Sequence, residues 1–247
     1  MSGSAASQRM PPEAIEPWWA EVWSRYSAEY GAESAGEPLE DEELRRELVF
    51  CLLGGHGVKF ELAISATEVI TALEPFAPRW TTARLRAALR RELGRPQFHP
   101  RRLDGSLRRY RFPARKAWLL ADAANWVLTE GSIQAGLEAR ASESERRVWL
   151  CTCPGVGMKT ASWLLRNGGW ARELAILDVH LMSAMREVGL VGNNKLPRDY
   201  EAIERTYLHW AAELGACPAA LDLFLWDVQR SRTAKDAVGV KAAAVTA

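Results

Sequence analysis

The sequence predicts an all-α protein, and three observations carry that prediction. No stretch alternates apolar and polar residues with the period of two that a half-buried strand requires. Apolar residues instead recur at three- and four-residue spacing along most of the chain, as at Leu44, Leu48 and Leu52. Between two such helical patterns, Pro154-Gly-Val-Gly157 is a tight turn. A chain of 247 residues can bury one sizeable core or divide it between two lobes.

Taken in order, residues 1–11 are small and polar and predict a disordered arm. Residues 13–30 read as a helix carrying Trp18, Trp19, Trp23 and Tyr26, and Gly31 to Pro38 as a linker. A helix from about Leu39 ends at Gly54-Gly-His-Gly57. Val58 to Leu73 and Thr81 to Leu93 are helical patterns, followed by a long basic loop over 94–112. Pro113 opens the next helix, which carries Trp118, Leu119, Ala123 and Trp126; a proline fits the first turn because no intrahelical acceptor awaits its missing amide. Short helices fill 132–150, and the hairpin itself spans about 143–167. Helices near 179–189, 198–214 and 218–230 follow, and the tail 231–247 is expected to fray. The expected organisation is therefore an arm and helix over 1–38, a main helical domain over 39–230, and the tail.

Hydrophobic content of 48% and charged content of 26% are those of an ordinary globular protein. No apolar run approaches the ~20 residues of a membrane span, and the first residues lack an apolar signal core. Those features predict a cytoplasmic protein, nucleoid-associated if bacterial, with no membrane partner. Cys51, Cys151, Cys153 and Cys217 have the spacing of neither a disulfide framework nor a zinc site. The net charge is only +1, but it is unevenly spread. Twelve basic residues lie between Arg84 and Lys116, opposed by Glu92 and Asp104 alone, whereas Glu37 to Glu43 is acidic. Charge alone leaves two readings open, a face that neutralises DNA phosphates and a solvated arginine-rich loop.

The glycines of Pro154-Gly-Val-Gly157 let the backbone fold back sharply and let a ligand come close. The first amides of the following helix lack intrahelical acceptors and make an anion site. Lys159 sits in that first turn, and Asp178 follows the apolar run Leu174-Ala-Ile-Leu177. On position alone, Lys159 could simply be an exposed side chain that bonds phosphate. Asp178 is placed to cap the helix that begins at Val179.

Gly155-Val-Gly-x-Lys-Thr-Ala161 with Asp178-Val-His180 resembles the helix-hairpin-helix DNA glycosylase superfamily. Asp178-Val-His180 itself, and Leu165-Arg-Asn-Gly-Gly-Trp170 before it, is similar to the small 8-oxoguanine DNA glycosylase/AP lyase branch that lacks an extra β-domain. The resemblance covers roughly Glu40 to Arg230 and is strongest from Val148 to Val188. It implies a two-lobed helical fold with an active-site cleft between the lobes, and a monomer that binds duplex DNA containing a damaged base. It also implies base-excision repair chemistry without cofactor or catalytic metal. The iron–sulfur loop of some hairpin glycosylases needs four C-terminal cysteines, and this chain has Cys217 alone there.

By the same resemblance Lys159 is the nucleophile and Asp178 the essential acid. The amides of Gly155, Gly157 and Thr160 cradle phosphate, and His180 faces the phosphate beside the flipped nucleotide; a core histidine is its other reading. A structural monovalent cation is implied at the carbonyls of Cys151, Cys153 and Val156. His56 stands where the family carries an asparagine-rich wedge, so it would fill the vacated space; a plain glycine-rich helix break is the other reading. Phe112 matches the aromatic that pries apart the opposite strand, and a hydrophobic staple is its alternative. In the base pocket Trp163 stands where the larger enzymes have a cysteine, and Phe224 matches the aromatic on the other face of the base. The pocket glutamine of those enzymes aligns with Ala220, a departure that leaves Gln229 and Asp227 as polar readers, unless they belong to a buried terminal helix. The expected function is removal of 8-oxoguanine through a lysine Schiff base and β-elimination. The same chemistry on another base, and a hairpin that only binds DNA, stay open.

Overall fold

A computed structural model of the chain describes residues 12–31, 37–55 and 57–245. The expected disordered arm, most of the Gly31–Pro38 linker and His56 lie outside the described residues. Among those described, eleven helices and one isolated β-bridge are present: α1 (Pro12–Gly31), α2 (Asp41–Leu53), α3 (Phe60–Thr71), α4 (Thr82–Gly94), α5 (Pro113–Glu130), α6 (Ile133–Glu138), α7 (Glu143–Leu150), α8 (Met158–Asn167), α9 (Val179–Glu187), α10 (Tyr200–Glu213) and α11 (Pro218–Val245). The chain divides into two compact units, residues 37–171 in one and residues 1–36 with 172–247 in the other.

In the 37–171 unit, α2 packs against α3, α5, α6 and α8, and α4 packs along α5. The acidic run Glu37–Glu43 proves to be helix chemistry. Glu40 and Glu43 form a capping box, and Asp41, Glu42 and Glu43 place negative charge in the first turn of α2, where the helix end is positive. Asp41 also accepts the Ser132 hydroxyl at 2.9 Å and the amides of Ile133 and Gln134 at 2.6 and 3.1 Å, which ties the start of α6 to the start of α2. Leu44, Leu48 and Leu52 are buried on one face of α2, as their spacing requires.

The segment expected as a long basic loop is pinned rather than open. Phe98 bridges Arg108, and both Phe98 and Tyr110 are buried. Several of its arginines serve the chain itself: Arg95 pairs with Glu92 at 2.9 Å, Arg101 bonds the Gly105 carbonyl and Arg108 the Pro100 carbonyl. Glu92 offsets the charge of Arg95, whereas Arg101 and Arg108 keep theirs and are fixed in direction by the carbonyls that they bond.

In the other unit α1, α9 and α10 each pack on α11. Trp19, Trp23 and Tyr30 of α1 surround Phe224 of α11, with ring centroids 5.5–6.1 Å apart and steep edge-to-face angles. α11 does not end near Arg230 with a frayed tail beyond it; it continues as one helix to Val245. Pro218 opens it, and from Ser231 onward the sequence holds no proline and one glycine, so nothing local stops the helix.

Candidate active site

The hairpin is α7, a turn over Cys151–Gly157, and α8. Ser142 and Glu145 form the capping box that starts α7. Gly155 has φ +85°, and a Cβ there would meet Leu119 at 3.0 Å and Leu52 at 3.3 Å. Backbone conformation and crowding thus both demand glycine. Gly157 caps α8 in extended conformation, and a Cβ there would point into open space. No side chain caps this helix end, so its first amides keep their unmet donors. α9 is the contrast: Oδ1 of Asp178 accepts the amides of His180 and Leu181 at 2.8 and 2.9 Å. The amide end of α8 is therefore open, whereas that of α9 is already occupied by a carboxylate.

Lys159 is half-buried in the first turn of α8. Its Nζ lies 5.5 Å from the centroid of the Trp163 ring, one helical turn further on. Trp163 in turn stands edge-on to Phe50, 5.3 Å away, and rests on Gly54, where a Cβ would approach the ring to 2.7 Å. Beneath this wall Cys51 is buried, and burial followed by the charge of Glu47 pushes its thiol well up. Glu47 accepts Asn167 at 2.7 Å; burial raises its carboxyl above the usual range. Thr160 is half-buried beside Lys159. The Cys153 carbonyl accepts the Val156 amide at 3.0 Å, which closes the turn that also contains Cys151.

Lys116, in the first turn of α5, reaches the same neighbourhood. Its ammonium donates to the carbonyls of Leu52 and Gly54 at the end of α2, the latter at 3.1 Å. Burial, then the charges of Arg115 and Lys159, draw it down to about 8. Phe112 stands at the N-cap of α5, 37% exposed as a residue, with the Arg111 guanidinium 5.0 Å from its ring centroid. It is thus a partly exposed aromatic at the start of α5.

Phe224 requires correction. It is 1% exposed within the α1 aromatic cluster and has no ring face left for a base. The aromatic of that run which keeps part of its surface is Trp226, edge-on to His180 at 6.1 Å and flanked by the Arg230 guanidinium at 4.8 Å. Gln229 is buried and donates to Glu187 at 2.9 Å; Asp227 accepts the Tyr30 hydroxyl at 3.0 Å. Both expected polar readers are thus engaged within their own unit. Trp226 and Lys116 were missed by the sequence reading. A signal existed for Lys116, since a lysine in the first turn of a helix opposes the helix dipole just as Lys159 does.

A family model described as 8-oxoguanine DNA glycosylase, of the Ogg-HhH type, matches residues 28–216. The chain belongs to this family. Among curated members, the 8-oxoguanine DNA glycosylase/AP lyase of Saccharolobus solfataricus is 32% identical over 124 residues, which are 48% of this chain and 58% of that protein. The chain thus matches little more than half the length of that relative. The enzyme of the same name from a Thermotoga species is 25% identical over 210 residues, 81% of this chain and 86% of its own. The crystal structure of the Methanocaldococcus jannaschii 8-oxoguanine DNA glycosylase superposes with a TM-score of 0.65 at 22% identity, covering 88% of this chain and 94% of that one. It is similar in fold. The segment matched by the 8-oxoguanine DNA glycosylase family includes Lys116, Lys159, Asp178 and His180; α11, with Trp226, Asp227 and Gln229, lies beyond it.

Proposed function

We propose that this chain is a bifunctional DNA glycosylase and AP lyase that removes 8-oxoguanine from duplex DNA in base-excision repair. One observation carries the reading: a lysine stands in the first turn of a helix whose open amide end follows a Gly-x-Gly turn, within a chain of this family. A protein that only held DNA phosphate would need the glycines and the amides, not an amine beside an aromatic wall.

In this reading the amides at Gly155, Gly157 and Thr160 bind the backbone phosphate, and the Cys151, Cys153 and Val156 carbonyls hold a monovalent cation that stiffens the turn. The target nucleotide leaves the stack, because its glycosidic bond is inaccessible there. Phe112 occupies the opposite-strand stack. The Lys159 amine attacks C1′; the C1′–N bond to the base breaks and the base leaves with a proton. The sugar ring then opens, as the C1′–O4′ bond breaks and O4′ takes a proton, and the iminium so formed at C1′ acidifies C2′. Loss of a C2′ proton expels the 3′ phosphate and nicks the strand. Asp178 offsets the positive charge that develops on the sugar as the base departs. Its Oδ1 is held by two amides, while Oδ2 takes part in neither bond. His180 faces the neighbouring phosphate. The protein acts as a monomer and needs no cofactor. Among the described residues no helix is long and apolar enough to cross a membrane.

The test is borohydride trapping on a duplex with one 8-oxoguanine opposite cytosine. Wild type is expected to give a covalent adduct and Lys159→Ala none. An adduct on an abasic duplex but not on 8-oxoguanine moves the assignment to another base. No adduct on either duplex, with DNA binding intact, leaves a binding module.

A further inference from the structure

Three side chains from one short segment reach back to the end of α2. Tyr110 donates its hydroxyl to the Leu53 carbonyl, Arg111 donates to the Gly57 carbonyl at 2.6 Å, and Lys116 donates to the Leu52 and Gly54 carbonyls. The last carbonyls of a helix have no intrahelical donors and carry the negative end of its dipole, so an ammonium there satisfies both needs. The bonds link two features with separate duties. On one side is Phe112, one turn before Lys116, whose carbonyl accepts the Lys116 amide at 3.0 Å. On the other is Gly54, the seat of the Trp163 ring, with Lys159 beside it. Gly57 is matched to this arrangement: its φ is +77°, and a Cβ would strike the Arg111 guanidinium at 2.6 Å.

We propose that Lys116 is a positioning residue that locks the exposed Phe112 ring and the Trp163–Lys159 wall into one frame, so that opening the duplex and presenting the base to the amine happen as one event. The inference rests on the glycosylase reading above. Lys116 touches neither base nor sugar in this role; it acts through Gly54 and through the start of α5. The half-burial of the ammonium between Arg115 and Lys159, which lowers its proton affinity, fits a group kept there against an electrostatic cost.

The consequence is a split between two substrates. An intact 8-oxoguanine duplex must be opened and its base presented. An abasic duplex needs only the attack by Lys159. Single-turnover excision and borohydride trapping are therefore measured with the full chain as wild type, Lys116→Met and Lys116→Arg. Lys116→Met is expected to slow excision about 100-fold, the scale on which a misplacement of about 1 Å acts. Trapping on the abasic duplex should fall at least ten times less, by the same scale. Lys116→Arg, which restores donors to the two carbonyls, should recover most of the excision. Equal losses on both duplexes overturn the proposal, since Lys116 would then act on Lys159 itself; so does no loss on either. Should Lys116→Met not fold, Arg111→Gln at the exposed Gly57 contact reads the same split, and its absence there is equally fatal. A wild type that traps on neither duplex refutes the glycosylase reading, an outcome distinct from a missing split.

Discussion

At Asp178 one side chain has two duties that can be separated by substitution. Oδ1 caps α9 through His180 and Leu181. Asparagine caps a helix as well as aspartate does, whereas alanine loses the acceptor at a cost of about 1 kcal/mol. The charge is needed only for the reaction. Asp178→Asn should therefore keep the denaturation midpoint and lose excision by about 100-fold or more, in the range found for removal of a transition-state partner. Asp178→Ala should lose both. Equal activity in wild type and Asp178→Asn would remove the catalytic duty and leave the cap. The sequence made Asp178 legible because its cap position and its motif coincide. Phe224 was misread because a motif gives a position along the chain, not the neighbours supplied by a distant helix: Trp19, Trp23 and Tyr30 lie about 200 residues away in the sequence and close over its ring.

The hairpin sets the same kind of division between its two glycines. Gly155 holds a left-handed conformation and lies against Leu119 and Leu52. Gly155→Ala should cost about 1–3 kcal/mol, the scale of a non-glycine residue held at positive φ, and should appear in the unfolding curve first. Gly157 is extended with open space at its Cβ. Gly157→Ala should cost well under that, yet the methyl stands where a phosphate would approach the amides. DNA affinity should then fall while the unfolding midpoint barely moves, and calorimetry with a fluorescence titration separates the two. Loss of affinity without loss of stability at Gly155, or the reverse at Gly157, would contradict this assignment. Helix positions were legible because apolar spacing, Pro113 and the glycine turns mark them directly. The extent of α11 was not, since its polar, alanine-rich end reads the same whether it continues a helix or frays. The pinned loop was also illegible: Phe98 and Tyr110 are ordinary aromatics until the Phe98–Arg108 bridge brings them together.

For the whole molecule, alkaline stability follows from groups that burial moves in opposite directions. Lys116 is lowered to about 8 from an ordinary 10.5. Between those values the unfolded chain holds a proton that the folded chain has released, so this lysine makes stability rise with pH. The buried acids act the other way. Cys153 is pushed up to about 12 by burial, Cys51 well up by burial and Glu47, Cys151 up by burial, and Tyr110 up by burial. Their unfolded counterparts ionise from 9.0 for the thiols and 10.0 for the phenol, while the folded groups keep their protons. Each of them removes up to about 1.4 kcal/mol of stability per pH unit once its unfolded form ionises. One rising limb therefore begins near pH 8, and several falling ones begin near 9, so the falling limbs prevail. Urea midpoints measured from pH 7 to 11 should climb slightly, peak near 9 and then drop. In Lys116→Met the climb should vanish and the drop remain. In Cys153→Ala the drop should become shallower with the climb intact. A wild-type midpoint that falls steadily from pH 7 would mean that the Lys116 ammonium reaches water freely and keeps its ordinary proton affinity, since a lowered one must give a climb, and the frame that it is inferred to hold would lose its electrostatic signature.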